Sequence, residues 1–177
     1  MTSTQGFKRN VGRIDHVIFA YQTFERAEQT RETMTALLGL DPEAWMKPAD
    51  LDPPFNLRTS VCWEAGLEII CPLEGFEDNW FGTQIIAERG EGICAVVFGV
   101  DDIDGACRRA EGLGLPILQT MHDSRSPDGP ESVHRGLPFF FGDTIEACHR
   151  RLREALVSPF NGTGLAFGEF EPLEPGR

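Results

Sequence analysis

The stretch IDHVIFA, Ile14–Ala20, decides the fold, because it sets one histidine among apolar and β-branched residues and ends at a helix-start signal. A similar stretch, ICAVVFG at 93–99, also runs into a segment patterned as an amphipathic helix. We expect both to be buried strands, so the chain is predicted to contain two copies of a β-then-α unit. Alternation along a strand puts Ala95 at the position that His16 holds in the first copy. Alanine cannot bind a metal, so the two copies are not chemically equivalent.

Composition and charge narrow the class of protein. The chain has 177 residues, of which 41% are hydrophobic and 25% are charged, and this predicts one ordinary soluble domain. Its net charge of −12 opposes binding to nucleic acid or anionic membranes, which need clustered cations. No stretch approaches the roughly 18 apolar residues of a membrane span, and residues 1–10 carry no apolar signal region. The cytoplasm is the expected location.

The cysteines predict reduced thiols. There are five of them, an odd number, and they lie in apolar runs with no C-x-x-C spacing. This pattern favours buried thiols over a disulfide or zinc framework. The cysteines are Cys62, Cys71, Cys94, Cys107 and Cys148.

The first unit has clear local signals. Thr23 or its neighbour can cap a helix over Phe24–Leu38 that ends at Gly39, with Phe24, Ala27, Met34, Leu37 and Leu38 on one face. Four prolines make residues 41–54 irregular, with at most a short edge strand. Residues 57–64 and 67–72 are predicted to form a hairpin.

The second unit is expected to follow a connector at 75–92, where Trp80 and Phe81 cover an apolar edge. A strand at 93–100 leads to a helix over about 103–113, capped at Asp101 or Asp102. A strand at 116–121, a turn-rich loop at 123–130 and a strand at 133–141 follow. A capping-box pattern at Asp143 then predicts a helix to about residue 157, before a last strand at 165–170.

These residues, in this order, resemble the vicinal oxygen chelate superfamily, which includes glyoxalases, methylmalonyl-CoA epimerases, extradiol dioxygenases and bleomycin-resistance proteins. The likeness covers roughly residues 13–143. It rests on the first strand at 14–17, the strand at 67–70 and the strand-to-helix junction at 98–103. Segments 79–82, 125–129 and 137–140 are similar to its glyoxalase-like branch. The resemblance implies a single α+β domain over 1–177. Two βαβββ units, about 13–74 and 92–174, would form a U-shaped mixed sheet around a cavity. The helix predicted near the C-terminus, after Asp143, is additional to this pattern and fits the resemblance less well.

The resemblance also implies a site for a divalent metal in that cavity. By position, His16 matches the first-strand histidine ligand and Glu68 the ligand on the closing strand of unit one. Glu169 is the choice for the corresponding carboxylate of the last strand, with Glu171 on the same face as an alternative. The second-unit histidine is replaced by Ala95. His16, Glu68 and Glu169, with water or His134, would hold Fe, Mn, Co or Zn.

Such a site polarises a substrate oxygen while a nearby side chain moves a proton. Glu169 or Glu68 is the expected base, with His134 or His122 as alternatives. Arg125 and Arg135 could receive a substrate carboxylate or phosphate, and Trp63 could form an apolar wall.

Three functions remain open from the sequence. The first is a metal-dependent, glyoxalase-like lyase or isomerase that acts on a small substrate with adjacent oxygens. The second is an Fe(II) dioxygenase, which needs two histidines and a carboxylate and is opposed by Ala95 unless His122 or His134 substitutes. The third is a metal-free protein of the resistance type that binds a small molecule between apolar walls. A homodimer is expected by analogy with the superfamily.

Overall fold

The computed structural model describes residues 12–46, 48–51, 55–80, 82–126, 129–132, 149–160 and 162–172. The chain divides into two compact units, His16–Val96 and Val97–Arg177, the latter together with the segment before His16. The described residues include three α-helices and nine strands, so the predicted α+β class is confirmed.

The unit His16–Val96 runs β1 (Ile14–Ala20), α1 (Phe24–Leu38), a short 3-10 helix (Pro42–Ala44), β2 (Ala49–Leu51), β3 (Leu57–Cys62), β4 (Leu67–Pro72) and α2 (Thr83–Arg89). Its strands lie in the order β2-β3-β4-β1, with β2 as the short edge strand. β1 pairs in parallel with β4, where Ile18 lies opposite Glu68. β3 and β4 form the predicted antiparallel hairpin.

Helix α1 has the predicted bounds but not the predicted buried face. The Thr23 hydroxyl accepts a hydrogen bond from Arg26 N, and Gly39 ends the helix at a φ of 64°. Ala27 is buried, whereas Phe24, Leu37 and Leu38 are 46%, 74% and 52% exposed. The helix therefore contacts its sheet along a narrower stripe than the apolar pattern indicated. The Phe24 ring is instead covered in part by the Arg58 guanidinium, 5.1 Å from its centre.

The two faces of this sheet differ in chemistry. One face packs with α1 around a buried cluster of Tyr21, Ala27, Trp45, Cys62, Ile69 and Cys71. Because neighbouring side chains on a strand point to opposite faces, Glu68 lies on the face away from α1. Thr59 and His16 share that face with Glu68, as their side-chain contacts show. His16, Thr59 and Glu68 thus lie together on the face that α1 does not cover.

The other unit is built from β5 (Gly92–Gly99), which begins before the unit boundary, α3 (Ile103–Gly112), β6 (Ile117–Ser126), β7 (Gly129–Ser132), β8 (His149–Phe160) and β9 (Thr163–Pro172). Its strand order is β5-β9-β8-β6-β7. The side chain of Asp102 caps α3 by accepting a hydrogen bond from Gly105 N at 2.9 Å, as predicted from the sequence.

Two predictions for this unit were wrong. The turn-rich loop at 123–130 is instead part of the β6–β7 hairpin, in which Asp123 pairs with Ser132 and Ser126 with Gly129. The predicted late helix is contradicted at residues 149–157, which belong to β8. The start of that helix at Asp143 and the predicted strand at 133–141 lie outside the described residues.

The error at β8 has a physical cause. β8 lies between β6 and β9 and pairs antiparallel with both. Glu154, Ala155 and Val157 are all buried, so the strand lacks the polar-apolar alternation of a half-exposed strand. Leu152 and Leu156 happen to match a helical spacing, and the pairing with two neighbouring strands overrides it.

In the part of the chain that the structure describes, no helix combines the length and apolar character needed to cross a lipid bilayer.

Candidate functional site

A buried imidazole and a carboxylate meet on the face away from α1. His16 Nε2 lies 3.2 Å from Oε2 of Glu68, and the two side chains are 0% and 13% exposed. The pairing of β1 with β4 produces this contact, because it sets Glu68 opposite Ile18, two residues from His16. Both residues were predicted as metal ligands, and the structure brings them together.

Thr59 holds the other oxygen of Glu68. The Thr59 hydroxyl donates a hydrogen bond to Glu68 Oε1 at 2.8 Å, and Thr59 is 2% exposed. Thr59 was not predicted from the sequence. β3 carries three polar residues in a row, Arg58, Thr59 and Ser60, so no local signal distinguishes Thr59, and its contact with Glu68 depends on the register of the hairpin.

Trp63 lies beside His16. The two ring centres are 5.4 Å apart at an interplanar angle of 87°, an edge-to-face contact. The indole Nε1 is 2.8 Å from the sulfur of Met46. Trp63, predicted to contact substrate, therefore forms an apolar wall next to the histidine.

Cys94 and Ala95 are both buried, at 2% and 6% exposure. Burial raises the pKa of the Cys94 thiol to about 12, and the negative charge of Glu68 adds to that shift. The thiol is therefore protonated at neutral pH and is a poor metal ligand or nucleophile.

Glu169 has contacts of a different kind. Its Oε2 accepts a hydrogen bond from Ile103 N at 3.0 Å and lies 3.5 Å from the guanidinium of Arg153. Arg153 also bonds to Asp104 of α3 at 2.7 Å. Glu169 thus lies on the α3 face of its sheet and supports the start of that helix.

The other predicted residues are only partly described. Arg125 and His122 lie in β6 and Glu171 in β9, with their backbone alone described. His134 and Arg135 lie outside the described residues. Their roles stay predictions.

Matching backbone hydrogen bonds align the strands of the two units. Tyr21 N donates to Ile70 O at 3.0 Å after β1, and Val100 N donates to Gly168 O at 2.8 Å after β5. Ile70 and Gly168 therefore hold corresponding positions. Two residues earlier on each strand, Glu68 corresponds to Ala166, which is 5% exposed.

The same alignment identifies a buried carboxylate that the sequence analysis missed. Thr59 pairs with Ile70, and Glu154 pairs with Gly168, so Glu154 corresponds to Thr59. Glu154 is 8% exposed. Glu154 therefore lies where the first unit has Thr59. The two predicted ligand positions of the first unit, His16 and Glu68, correspond to Ala95 and Ala166.

The donor atoms of His16 and Glu68 suit a metal. Two ligand atoms bound to one ion at about 2.0–2.2 Å lie roughly 2.8–3.6 Å apart, from octahedral to tetrahedral geometry, and Nε2 and Oε2 are 3.2 Å apart. Thr59 orients the carboxylate from behind, as outer-shell partners of metal ligands do. Over the described ranges, however, no three side chains of His, Cys, Asp or Glu form a group that could hold an ion. Among the described residues, therefore, His16 and Glu68 are the two side chains whose geometry fits a metal ion.

Comparison with known proteins gives no match by sequence, either to a family model or to a curated protein. Solved structures do match. A hypothetical protein from Bacillus halodurans has a TM-score of 0.57 and 17% identity over 93% of this chain and 97% of that one. Methylmalonyl-CoA epimerase from Mycobacterium tuberculosis has a TM-score of 0.57 and 16% identity over 97% and 95%.

A variant of Streptomyces coelicolor methylmalonyl-CoA epimerase, in complex with 2-nitronate-propionyl-CoA, has a TM-score of 0.56 and 16% identity over 90% and 98%. The chain has the vicinal oxygen chelate fold. The resemblance inferred from the sequence is therefore confirmed at the level of the fold. In this fold, His16 and Glu68 lie on the two strands that the resemblance indicated.

Proposed function

We propose that this protein is an isomerase or lyase that acts on a small substrate with adjacent oxygens, through metal-assisted proton transfer at a carbon next to a carbonyl. The observation that carries the proposal is the pair formed by buried His16 and partly buried Glu68, with their facing atoms 3.2 Å apart. The likeness to methylmalonyl-CoA epimerases, one of them in complex with methylmalonyl-CoA, agrees with this class of chemistry.

His16 and Glu68 are the residues that would hold a divalent ion such as Fe, Mn, Co or Zn. When bound, the ion supplies a Lewis acid that stabilises negative charge on a substrate oxygen. Glu68 is the more exposed of the two at 13%, so substrate approaches from the side of Glu68. The carboxylate of Glu68 would also accept a proton from the substrate if it leaves the ion.

A second candidate is a metal-free protein that binds a small molecule. Ala95 and Ala166 favour it, because they remove the two ligands that the second unit would otherwise contribute. The dioxygenase alternative needs a second histidine ligand, and Ala95 stands where that histidine is expected. We also retain the prediction of a single domain over 1–177, which a single cooperative unfolding transition would support, and the prediction of a homodimer, which sedimentation velocity would test.

Metal analysis separates these candidates. Protein purified without chelator is compared with His16→Ala, Glu68→Gln and a control, Glu64→Gln, which changes an exposed carboxylate of the same hairpin. We expect stoichiometric divalent metal in the wild type and the control, and loss of metal in the other two variants.

Activity is then followed as exchange of hydrogen for deuterium at the carbon next to the carbonyl, in D₂O. The panel includes methylmalonyl-CoA and a hemithioacetal of a 2-oxoaldehyde. Wild type without metal and without exchange would overturn the enzyme proposal, and ligand binding by that protein would establish the second candidate. Bound iron with oxygen uptake would point to the dioxygenase.

A further inference from the structure

We infer that Thr59 is a positioning residue, which fixes the rotation of the Glu68 carboxylate so that one of its oxygens faces His16. This inference rests on the proposed function of the His16–Glu68 pair and extends it to a residue that touches neither metal nor substrate. Thr59 Oγ1 donates to Glu68 Oε1 at 2.8 Å, and Glu68 Oε2 lies 3.2 Å from His16 Nε2. The three side chains form one line of contacts across β3, β4 and β1.

The surroundings of Thr59 explain why its hydroxyl bonds to Glu68. Thr59 is 2% exposed, and its neighbours on β3, Ser60 and Val61, are also buried. A hydroxyl in such a place needs a hydrogen-bond partner, because an unpaired buried hydroxyl is costly. The carboxylate is a strong acceptor, and a hydrogen bond to an ionised group is stronger than one between neutral groups.

The consequence for Glu68 is orientation. A carboxylate has two equivalent oxygens, and free rotation would offer either one, or neither, to His16. The hydroxyl engages Oε1, so Oε2 stays directed at the imidazole. Trp63 limits the imidazole through its edge-to-face contact, with the ring centres 5.4 Å apart. Both members of the pair are therefore held before any ligand arrives, which lowers the ordering that binding must impose.

The test compares Thr59→Val, which keeps the shape and removes the hydroxyl, with Thr59→Ser, which keeps the hydroxyl. Affinity for Co²⁺ alone is measured by titration of its visible absorption. The ¹⁵N shifts of the His16 imidazole are measured in metal-free protein. We expect Thr59→Val to bind Co²⁺ about 10- to 100-fold more weakly, as is typical when an outer-shell partner is lost. Its His16 shifts should move, and Thr59→Ser should match the wild type in both.

A merely structural Thr59 would leave the His16 shifts and the Co²⁺ affinity of Thr59→Val unchanged, and that result overturns the inference. If Thr59→Val does not fold, Thr59→Cys replaces it, because a thiol is a weak donor of similar size. If the wild type binds no Co²⁺, the metal part of the proposed function fails. The His16 shifts then decide the inference alone: moved in Thr59→Val and unmoved in Thr59→Ser supports it, and any other pattern overturns it.

Discussion

The cysteines show how burial in this fold raises the pKa of a side chain. Cys62, Cys71 and Cys94 are 0%, 2% and 2% exposed and carry free thiols, as the odd cysteine count and its spacing predicted. Burial raises the pKa of Cys71 to about 11 and that of Cys94 to about 12. Cys107 is only partly buried, and burial raises its pKa as well.

Thiol labelling should follow this order. Only the thiolate reacts, so a raised pKa lowers the reactive fraction at neutral pH and moves the rise in rate to higher pH. With iodoacetamide at about pH 7.5, near the ordinary thiol pKa of about 8.5, we expect Cys107 to be alkylated in the folded protein and Cys94 to be protected. Peptide mass spectrometry reads each site. Protein unfolded in urea is the control, in which both should react, and equal rates in the folded protein would contradict the prediction.

At the scale of the element, the start of α3 shows how one helix end is built from distant residues. Asp102 accepts from Gly105 N, and Glu169 of β9 accepts from Ile103 N. The first backbone N–H groups of a helix have no carbonyl of a preceding turn to donate to, and these two acceptors satisfy two of them. Asp104 of the first turn bonds Arg153 of β8, and this hydrogen bond raises the pKa of the guanidinium.

Removing either acceptor should loosen α3. We expect Asp102→Ala to lower the free energy of unfolding by about 0.5–2 kcal/mol, the usual range for a lost helix cap. Glu169→Ala should cost about 1–3 kcal/mol, because it leaves a backbone donor and Arg153 with one fewer partner. Urea denaturation measures both, with Glu111→Ala, an exposed residue of the same helix, as the control.

The same experiment bears on the role predicted for Glu169. A supporting residue at the start of α3 should change stability and leave Co²⁺ affinity at the wild-type value. A loss of Co²⁺ affinity with unchanged stability would contradict the structural role and favour Glu169 as a ligand.

Elements differ in how well a local pattern predicts them. α1 was predicted with its observed bounds because Thr23 and Gly39 cap its two ends, and a cap residue acts only on its near neighbours in the chain. β8 was not, because it pairs with β6 as well as with β9. β9 follows β8 directly along the chain, whereas β6 is distant in sequence, so a local window contains only one of the two partners.

The whole molecule carries a net charge of −12. Within the described residues, Arg26, Arg31, Arg58 and Arg153 pair with nearby carboxylates. Exposed pairs such as Arg58–Asp50, 36% and 49% exposed, contribute about 1 kcal/mol or less each. The remaining negative charges repel one another in the compact state.

Salt should therefore stabilise the protein. Between about 10 mM and 150 mM NaCl the Debye length falls from about 30 Å to about 8 Å, which screens long-range repulsion more than contacts. We expect the melting temperature, followed by circular dichroism, to rise over this interval and then to level off. Equal osmolarity of sucrose is the control for non-ionic effects. A melting temperature that falls with NaCl would show that ion pairs outweigh repulsion.

The sequence by itself determined the order of most elements, the hairpin after α1, the strand that carries His16 and the likeness to the vicinal oxygen chelate fold. These follow from caps, turns and apolar periods, which act over a few neighbouring residues. Only the tertiary structure decided that Glu169 faces α3, that Thr59 holds Glu68 and that residues 149–160 form a strand. Each of these depends on the register between strands, and a shift of one residue turns every side chain of a strand to its other face.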